Sequence, residues 1–408
     1  MKDMKKKNLK MNIIKKGMAL FLAMTLFLLQ GITVLADAQE SSSKETLQAL
    51  AESNDSSLDK LMDDESLIVA GDSVSDWIGF LYGRLGMGGD AQTYLNRLEE
   101  YVSQSYQKMG GLDTTMATPW HRAILTVLAL GGDPTSFGED AEGNPINLVA
   151  DGTYNFIMAD SFDLQGLNAW IFALLALDSR DYEVPDGALY TREDIITALL
   201  SAQEEDGGFG LTKGASDVDI TAMVLQALAP YKDSTDSYEL EDGSSANVKE
   251  TVEKALNWLS ENQLDDGGYE SYETENSESA SQVIIALSAL GVDADTDERF
   301  VKDKSLKEAF DSFRTSDGMY CHVLEDGGNM MATQQAIMAE LAMERLETGE
   351  GSIYSFSDQE IAEAQENAQS SSTGNYLPII VVGVVILLVI VILVIIIRKK
   401  KEKELEQL

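Results

Sequence analysis

Asp217 and Asp219 stand one residue apart at the start of an apolar segment, "SDVDITAMVLQALAPY" (216–231). A carboxylic acid kept protonated, and strengthened by neighbouring hydrogen-bond donors, can act as a general acid, in the extreme case towards a hydrocarbon. The same residues can do something simpler. Ser216-Asp217-Val218-Asp219 fits the S-x-x-[DE] capping box, in which the Ser caps the N3 amide and Asp219 reaches back. Acids in a first turn also suit the helix dipole, and the expectation is Asp219 in the first turn with Ser216 or Asp217 at the cap. Thr191-Arg192-Glu193-Asp194 repeats the arrangement on a more amphipathic segment, so capping is the expected role of both aspartates.

Other constellations carry less. Cys321-His322, with Asp317 nearby, has zinc-ligand residue types, but His121 is the one other histidine and the spacing fits no zinc motif. A buried thiol beside a loop histidine is expected there. Acidic glycine loops such as "EEDGG" lack the D-x-D-x-D-G string of a calcium loop, and no G-x-S-x-G, H-E-x-x-H, P-loop or C-x-x-C occurs. No metal and no cofactor is expected.

Helices must position these residues. Six apolar segments of helical period recur: 75–86, 118–132, 163–178, 216–231, 277–291 and 330–346, with ends 45 to 61 residues apart. More amphipathic helices lie between them, for example 191–203, 247–263 and 303–313. Uniformly apolar helices alternating with one-faced helices predict an inner ring wrapped by an outer ring, an all-α α/α barrel. "QEEDGGF" (203–209) and "QLDDGGY" (263–269) share Gln-x-x-Asp-Gly-Gly-aromatic, and "RTSDGMY" (314–320) is a degraded copy. The glycines let the chain leave a helix through positive φ, and the aromatic packs back over the helix end.

On these repeats the chain resembles the prenyltransferase and squalene-oxidase repeat proteins, the terpenoid-cyclase-like α/α toroids, over about residues 72–348. Asp217-Val218-Asp219-Ile220-Thr221-Ala222 is similar to the Asp-x-Asp-Asp-Thr-Ala motif of class II cyclases, with Ile220 at the third acidic position. "MATQQAIMAEL" resembles bacterial surface members of this superfamily. In a cyclase the resemblance implies that Asp219 would be the proton donor and Asp217 its neighbour. Such chemistry also needs aromatic faces around the cavity to stabilise carbocations. Trp77, Phe80, Tyr82, Trp120, Trp170 and Phe172 lie on the first three inner helices, whereas 277–291 and 330–346 carry no aromatic residue. Class II cyclases also enclose substrate between two helical domains, and this chain has room for one. The expectation is a non-catalytic binding module, with a terpene (squalene-type) cyclase and a structural or adhesive surface protein as alternatives.

Inner-helix N-termini open onto the barrel mouth. The candidate ligand contacts are Asp217, Asp219 and Glu278, together with Trp120, His121 and Trp170. The expected partner is a small apolar or amphipathic ligand (an isoprenoid or cobamide), or a cell-surface protein or glycan.

The ends predict where the module sits. Residues 1–36 have the basic start, apolar run and small-residue Val34-Leu35-Ala36 of a signal peptide. Residues 37–71 read as an acidic flexible lead-in and 349–375 as a polar spacer. The segment 376–397 is apolar and long enough to span a bilayer, and the basic tail 398–408 then lies in the cytoplasm. This predicts a single-pass cell-membrane protein with an extracellular N-terminal domain. Twelve of the 30 basic and four of the 69 acidic residues lie in the two ends, leaving 18 against 65 between them, a net charge near −47. That field repels phosphate backbones and excludes nucleic acid as a partner. The single Cys321 forms no internal disulfide, so the fold must hold by its core.

Overall fold

The structure is a computed structural model that describes residues 41–240 and 242–372. The expected signal peptide (1–36), membrane span (376–397) and cytoplasmic tail (398–408) lie outside the described residues. Among those described, no helix is long and apolar enough to cross a membrane.

The helices are α1 (Ser42–Ser53), α2 (Leu58–Leu61), α3 (Ser73–Arg84), α4 (Ala91–Met109), α5 (Thr118–Ala129), α6 (Leu148–Gly152) and α7 (Asn168–Asp178). After them come α8 (Arg192–Ser201), α9 (Val218–Leu228), α10 (Val248–Glu261), α11 (Ser277–Leu290), α12 (Leu306–Asp311), α13 (Met330–Thr348) and α14 (Asp358–Ser372). The strands described are two small antiparallel hairpins, Tyr238–Glu239 with Ser245–Ala246 and Glu270–Ser271 with Thr274–Glu275.

Six helices form a closed ring. α3 packs on α5, α5 on α7, α7 on α9, α9 on α11, α11 on α13, and α13 returns to α3. These are the six apolar segments expected to be inner. They are apolar on every side because they face both the lumen and the outer layer: in α7, Ala169, Ile171, Ala173, Leu174, Leu175, Ala176 and Leu177 are all buried. α10 shows the contrasting one-faced pattern, burying Val248, Thr251, Val252, Ala255, Leu256 and Leu259 at spacings of three and four. Truncating one ring-facing side chain, Leu174→Ala, would cost about 2–5 kcal/mol.

The Gly-Gly turns set the register of each inner helix. In both full copies the second glycine's carbonyl closes the turn, accepting from Glu204 N and from Leu264 N at 3.0 Å. Gly207 and Gly267 take φ of +95° and +93°, where a β-carbon would be strained. The repeat glutamine ties the turn to the next outer element: Gln203 Nε2 donates to Gly207 O and Thr251 O, and Gln263 Nε2 to Gly267 O and Phe300 O. The aromatic residues Phe209, Tyr269 and Tyr320 are fully buried. Their carbonyls accept from the amides of Asp217, Asn276 and Asn329, at 2.8, 3.2 and 3.0 Å. These three residues are the N-caps of α9, α11 and α13.

The ordered domain is longer than residues 72–348. The expected flexible lead-in contains α1, which packs on α13 with Leu47, Leu50 and Ala51 buried. Its anchor is polar: Ser42 Oγ donates to Glu340 at 2.7 Å, and the Ser43 amide to Glu344 at 3.0 Å. The expected polar spacer likewise turns back onto the ring. Ile353, Tyr354 and Phe356 are buried, and α14 lies against α4 and α5. The lead-in offers a single short apolar turn, Leu47, Leu50 and Ala51, and the spacer only scattered apolar residues, which is why both segments read as loose.

Candidate functional site

Asp217, Asp219 and Glu278 come together where α9 and α11 begin. Asp217 is the N-cap of α9: its extended backbone turns Oδ1 onto the Ile220 amide at 3.1 Å, and Oδ2 accepts from the Ser271 hydroxyl at 2.9 Å. Asn276 and Asn329 do the same for the Ser279 and Ala332 amides. Asp217 therefore fills the cap position of its repeat. The capping box expected from Ser216 and Asp219 is not formed. The Ser216 hydroxyl donates to Asp206 at 2.7 Å, in the Gly-Gly turn, where Trp258 Nε1 also donates at 3.0 Å. The parallel box does form on α8, between Thr191 and Asp194.

Asp219 is thus released from any capping role. It lies two residues past its cap, as Glu278 does past Asn276, and these acids are neighbours in space as well as in register. Asp219 Oδ1 is buried and makes no hydrogen bond. Burial pushes its pKa up to about 6; Asp217 and Glu278 push the same way, and the Ser279 hydroxyl beside it offsets this in part. That hydroxyl lies close but out of hydrogen-bonding geometry. Glu278 is better supplied, with Ser277 Oγ at 3.1 Å and His322 Nδ1 at 2.9 Å.

The three other expected contacts are not part of this cluster. Trp120 and His121 point into the wall between the rings. Trp120 is buried, and its Nε1 donates to Tyr106 Oη at 2.6 Å. Buried His121 donates from Nε2 to Gly152 O at 2.5 Å, and desolvation lowers its pKa to about 4, so the ring is neutral. Trp170 is half-buried between Phe162 and Tyr190, with centroids 4.6 and 5.4 Å away, and edges a surface groove that includes Leu167, Leu211 and Lys213. Cys321 is buried and its thiol donates to Phe313 O at 3.2 Å, the structural role expected. Among the described residues no group of three or more His, Cys, Asp or Glu side chains is arranged to hold a metal.

The lumen has two unlike halves. On one side Trp77 and Phe80 of α3 meet Tyr354, which stacks on Phe80 at 5.9 Å and lies 6.3 Å from Trp77, and Phe172 of α7 packs on Trp77 at 6.0 Å. On the other, amides run from helix to helix. Gln226 Nε2 of α9 donates to Gln282 of α11 at 3.0 Å, and Gln282 Nε2 to Gln335 of α13 at 2.9 Å. A pocket beside Tyr354, reaching Leu175, Gln226 and Pro230, has a volume of about 40 Å³. Binding chambers for organic ligands run to about 300 Å³ or more.

Sequence reasoning missed Tyr354 and the glutamine ladder. Gln226, Gln282 and Gln335 are spaced 56 and 53 residues apart, close to the repeat length. Gln282 and Gln335 each stand six residues past their caps, Asn276 and Asn329, a shared register that would have revealed that pair; Gln226 stands nine past Asp217, one turn further along its helix.

No protein-family profile matches the chain, and no curated protein sequence is similar to it. Among solved structures the chain is similar to the Candida albicans protein geranylgeranyltransferase-I complexed with GGPP, at 13% identity and a TM-score of 0.46, over 76% of this chain and 97% of that one.

Proposed function

We propose that the chain is a non-catalytic α/α-toroid module, held outside the cell by the apolar segment 376–397, that binds a ligand or a partner through its surface. The observation that carries this reading is Tyr354. A side chain from the chain's own C-terminal segment occupies the lumen, and the space left beside it, about 40 Å³, holds a water rather than an organic substrate. The glutamine ladder adds to this, since half of the wall offers amides in place of aromatic faces.

Asp219 favours a second reading, a terpene cyclase with Asp219 as acid, because one oxygen of its carboxyl is buried and unpaired and its pKa is raised to about 6. The sign of that shift argues against it. Protonating an alkene needs a strengthened acid, whereas burial and two neighbouring carboxylates make Asp219 a weaker acid than a free aspartate. Its place beside Glu278 at the mouth suits contact with a cationic or hydrogen-bond-donating group on a partner.

Two measurements test the proposal. Detergent-solubilised protein incubated with squalene or a linear prenyl diphosphate should give no cyclic product by mass spectrometry; a product lost in Asp219→Asn would replace this reading with the cyclase. Thermal-shift screening against isoprenoids, cobamides and glycans should raise Tm for the true ligand class by mass action. No shift with any of them would point to protein–protein adhesion.

A further inference from the structure

We propose that residues 350–361 are a releasable strap, which leaves the ring as a unit while the six inner helices stay closed and thereby uncovers the aromatic half of the lumen. Four observations lead to this.

The first is where the strap lies. Phe356 N donates to Ser179 O at the end of α7, Phe356 packs under Arg84 at the end of α3, and the pocket beside Tyr354 reaches Ala227 and Pro230 at the end of α9. The strap thus crosses the mouth at which the inner helices end, opposite the Asp219 mouth. The second is how it is joined. Gly349 and Gly351 flank its start with φ of +73° and +81°, a hinge that glycine adopts without strain.

Third, the ring does not depend on it. α13 packs directly on α3, and α1 packs on α13 from outside, so the circle is complete without residues 350–361. Fourth, the strap is held by ion pairs and by four separate apolar anchors, Ile353, Tyr354, Phe356 and Ile361, rather than by one continuous apolar face. Glu360 meets Arg84 at 3.1 Å and Arg345 at 2.9 Å, Glu350 meets Arg345 at 3.2 Å, and Arg180 meets Asp358 at 2.8 Å. Burial acts to raise the Glu360 pKa, but Arg84, the hydrogen bonds from Ser357 and Arg345 outweigh it and hold the carboxyl below its usual range. Lining the pocket at the tip is Gln226, whose Oε1 is buried and unpaired. Segments held by few buried apolar contacts open locally, well before the whole domain unfolds.

The test is native-state hydrogen exchange on the full chain in detergent, which needs no ligand. The amide of Phe356, bonded to Ser179 O, should exchange through an opening nearly independent of urea below the unfolding transition. Ile337 and Ala339 in α13 should instead follow the urea dependence of global unfolding. Glu360→Gln keeps an acceptor for the Ser357 amide but removes the charge facing Arg84 and Arg345. It should speed strap exchange about tenfold or more and leave α13 unchanged. If strap and α13 amides exchange at one rate with one urea dependence in the parent protein, the strap is an integral part of the ring and the proposal fails. Equal acceleration of both by Glu360→Gln would overturn it as well.

Discussion

The Ser271 hydroxyl donates to Asp217 Oδ2 at 2.9 Å while Asp217 Oδ1 holds the Ile220 amide, so Asp217 is fully engaged. Two residues on, Asp219 Oδ1 is buried with no hydrogen bond. One aspartate of the pair serves the fold, and the other is carried at a cost to it.

Asp219→Asn should therefore stabilise the protein at neutral pH. The folded pKa, about 6, lies above the 3.8 of a free aspartate. As pH rises between those values the unfolded chain loses its proton first, so Asp219 lowers stability there, and the loss is complete above the folded pKa. The gain in the variant should be about 1–3 kcal/mol at pH 7.5, a few degrees in Tm, and should vanish near pH 3.5. Scanning calorimetry at the two pH values checks it, and a variant less stable than the parent at pH 7.5 would contradict the assignment.

Asp217→Ala should cost about 0.5–2 kcal/mol, because it removes the cap of α9, and Asp217→Asn much less, because Asn276 and Asn329 do this work in sister repeats. Ser216→Ala should cost less than Asp217→Ala, since its hydroxyl bonds Asp206 rather than the helix. Urea denaturation of the three variants ranks them, and the reverse order would restore Ser216 as the cap.

Gln263→Ala leaves Gly267 O and Phe300 O without their shared donor inside the protein, at a cost of about 1–3 kcal/mol. The same change at Gln203 tests whether the repeats are equivalent. Thermal melts of both variants should show losses of one size, and a neutral Gln263→Ala would mean that water replaces the amide.

His121 has a folded pKa of about 4 against 6.5 for the free side chain. The unfolded chain takes up its proton first as pH falls, so the stability this residue supports is present above pH 6.5 and is lost as pH drops towards 4. Its imidazole signals should show no titration above pH 5 by NMR. A midpoint near 6.5 would mean that the residue is reached by water.

The ring itself was legible because apolar helices alternate with one-faced ones and the Gly-Gly turn recurs between them. Its two flanking segments were not. α1 has only one turn of apolar period and is held partly by serines on glutamates, and the strap is held by scattered residues such as Tyr354 and Phe356, so neither offers a long period to detect. At the mouth, the meeting of Asp217, Asp219 and Glu278 followed from helix starts, but the choice of cap did not. Ser216 and Asp217 are both good caps, and what decides between them is Asp206, ten residues away, drawing the Ser216 hydroxyl. The direction in which Trp120 and His121 point was equally hidden, since an inner helix is apolar on every side.

The bonds from Ser42 to Glu340 and from Ser43 to Glu344 join residues 298 and 301 positions apart. At about 5–20 residues per second, α1 emerges during synthesis roughly 15–60 seconds before α13, the helix that covers it. In that interval Leu47, Leu50 and Ala51 have no permanent home. Each newborn chain therefore carries these apolar side chains without their partner until its last inner helix arrives.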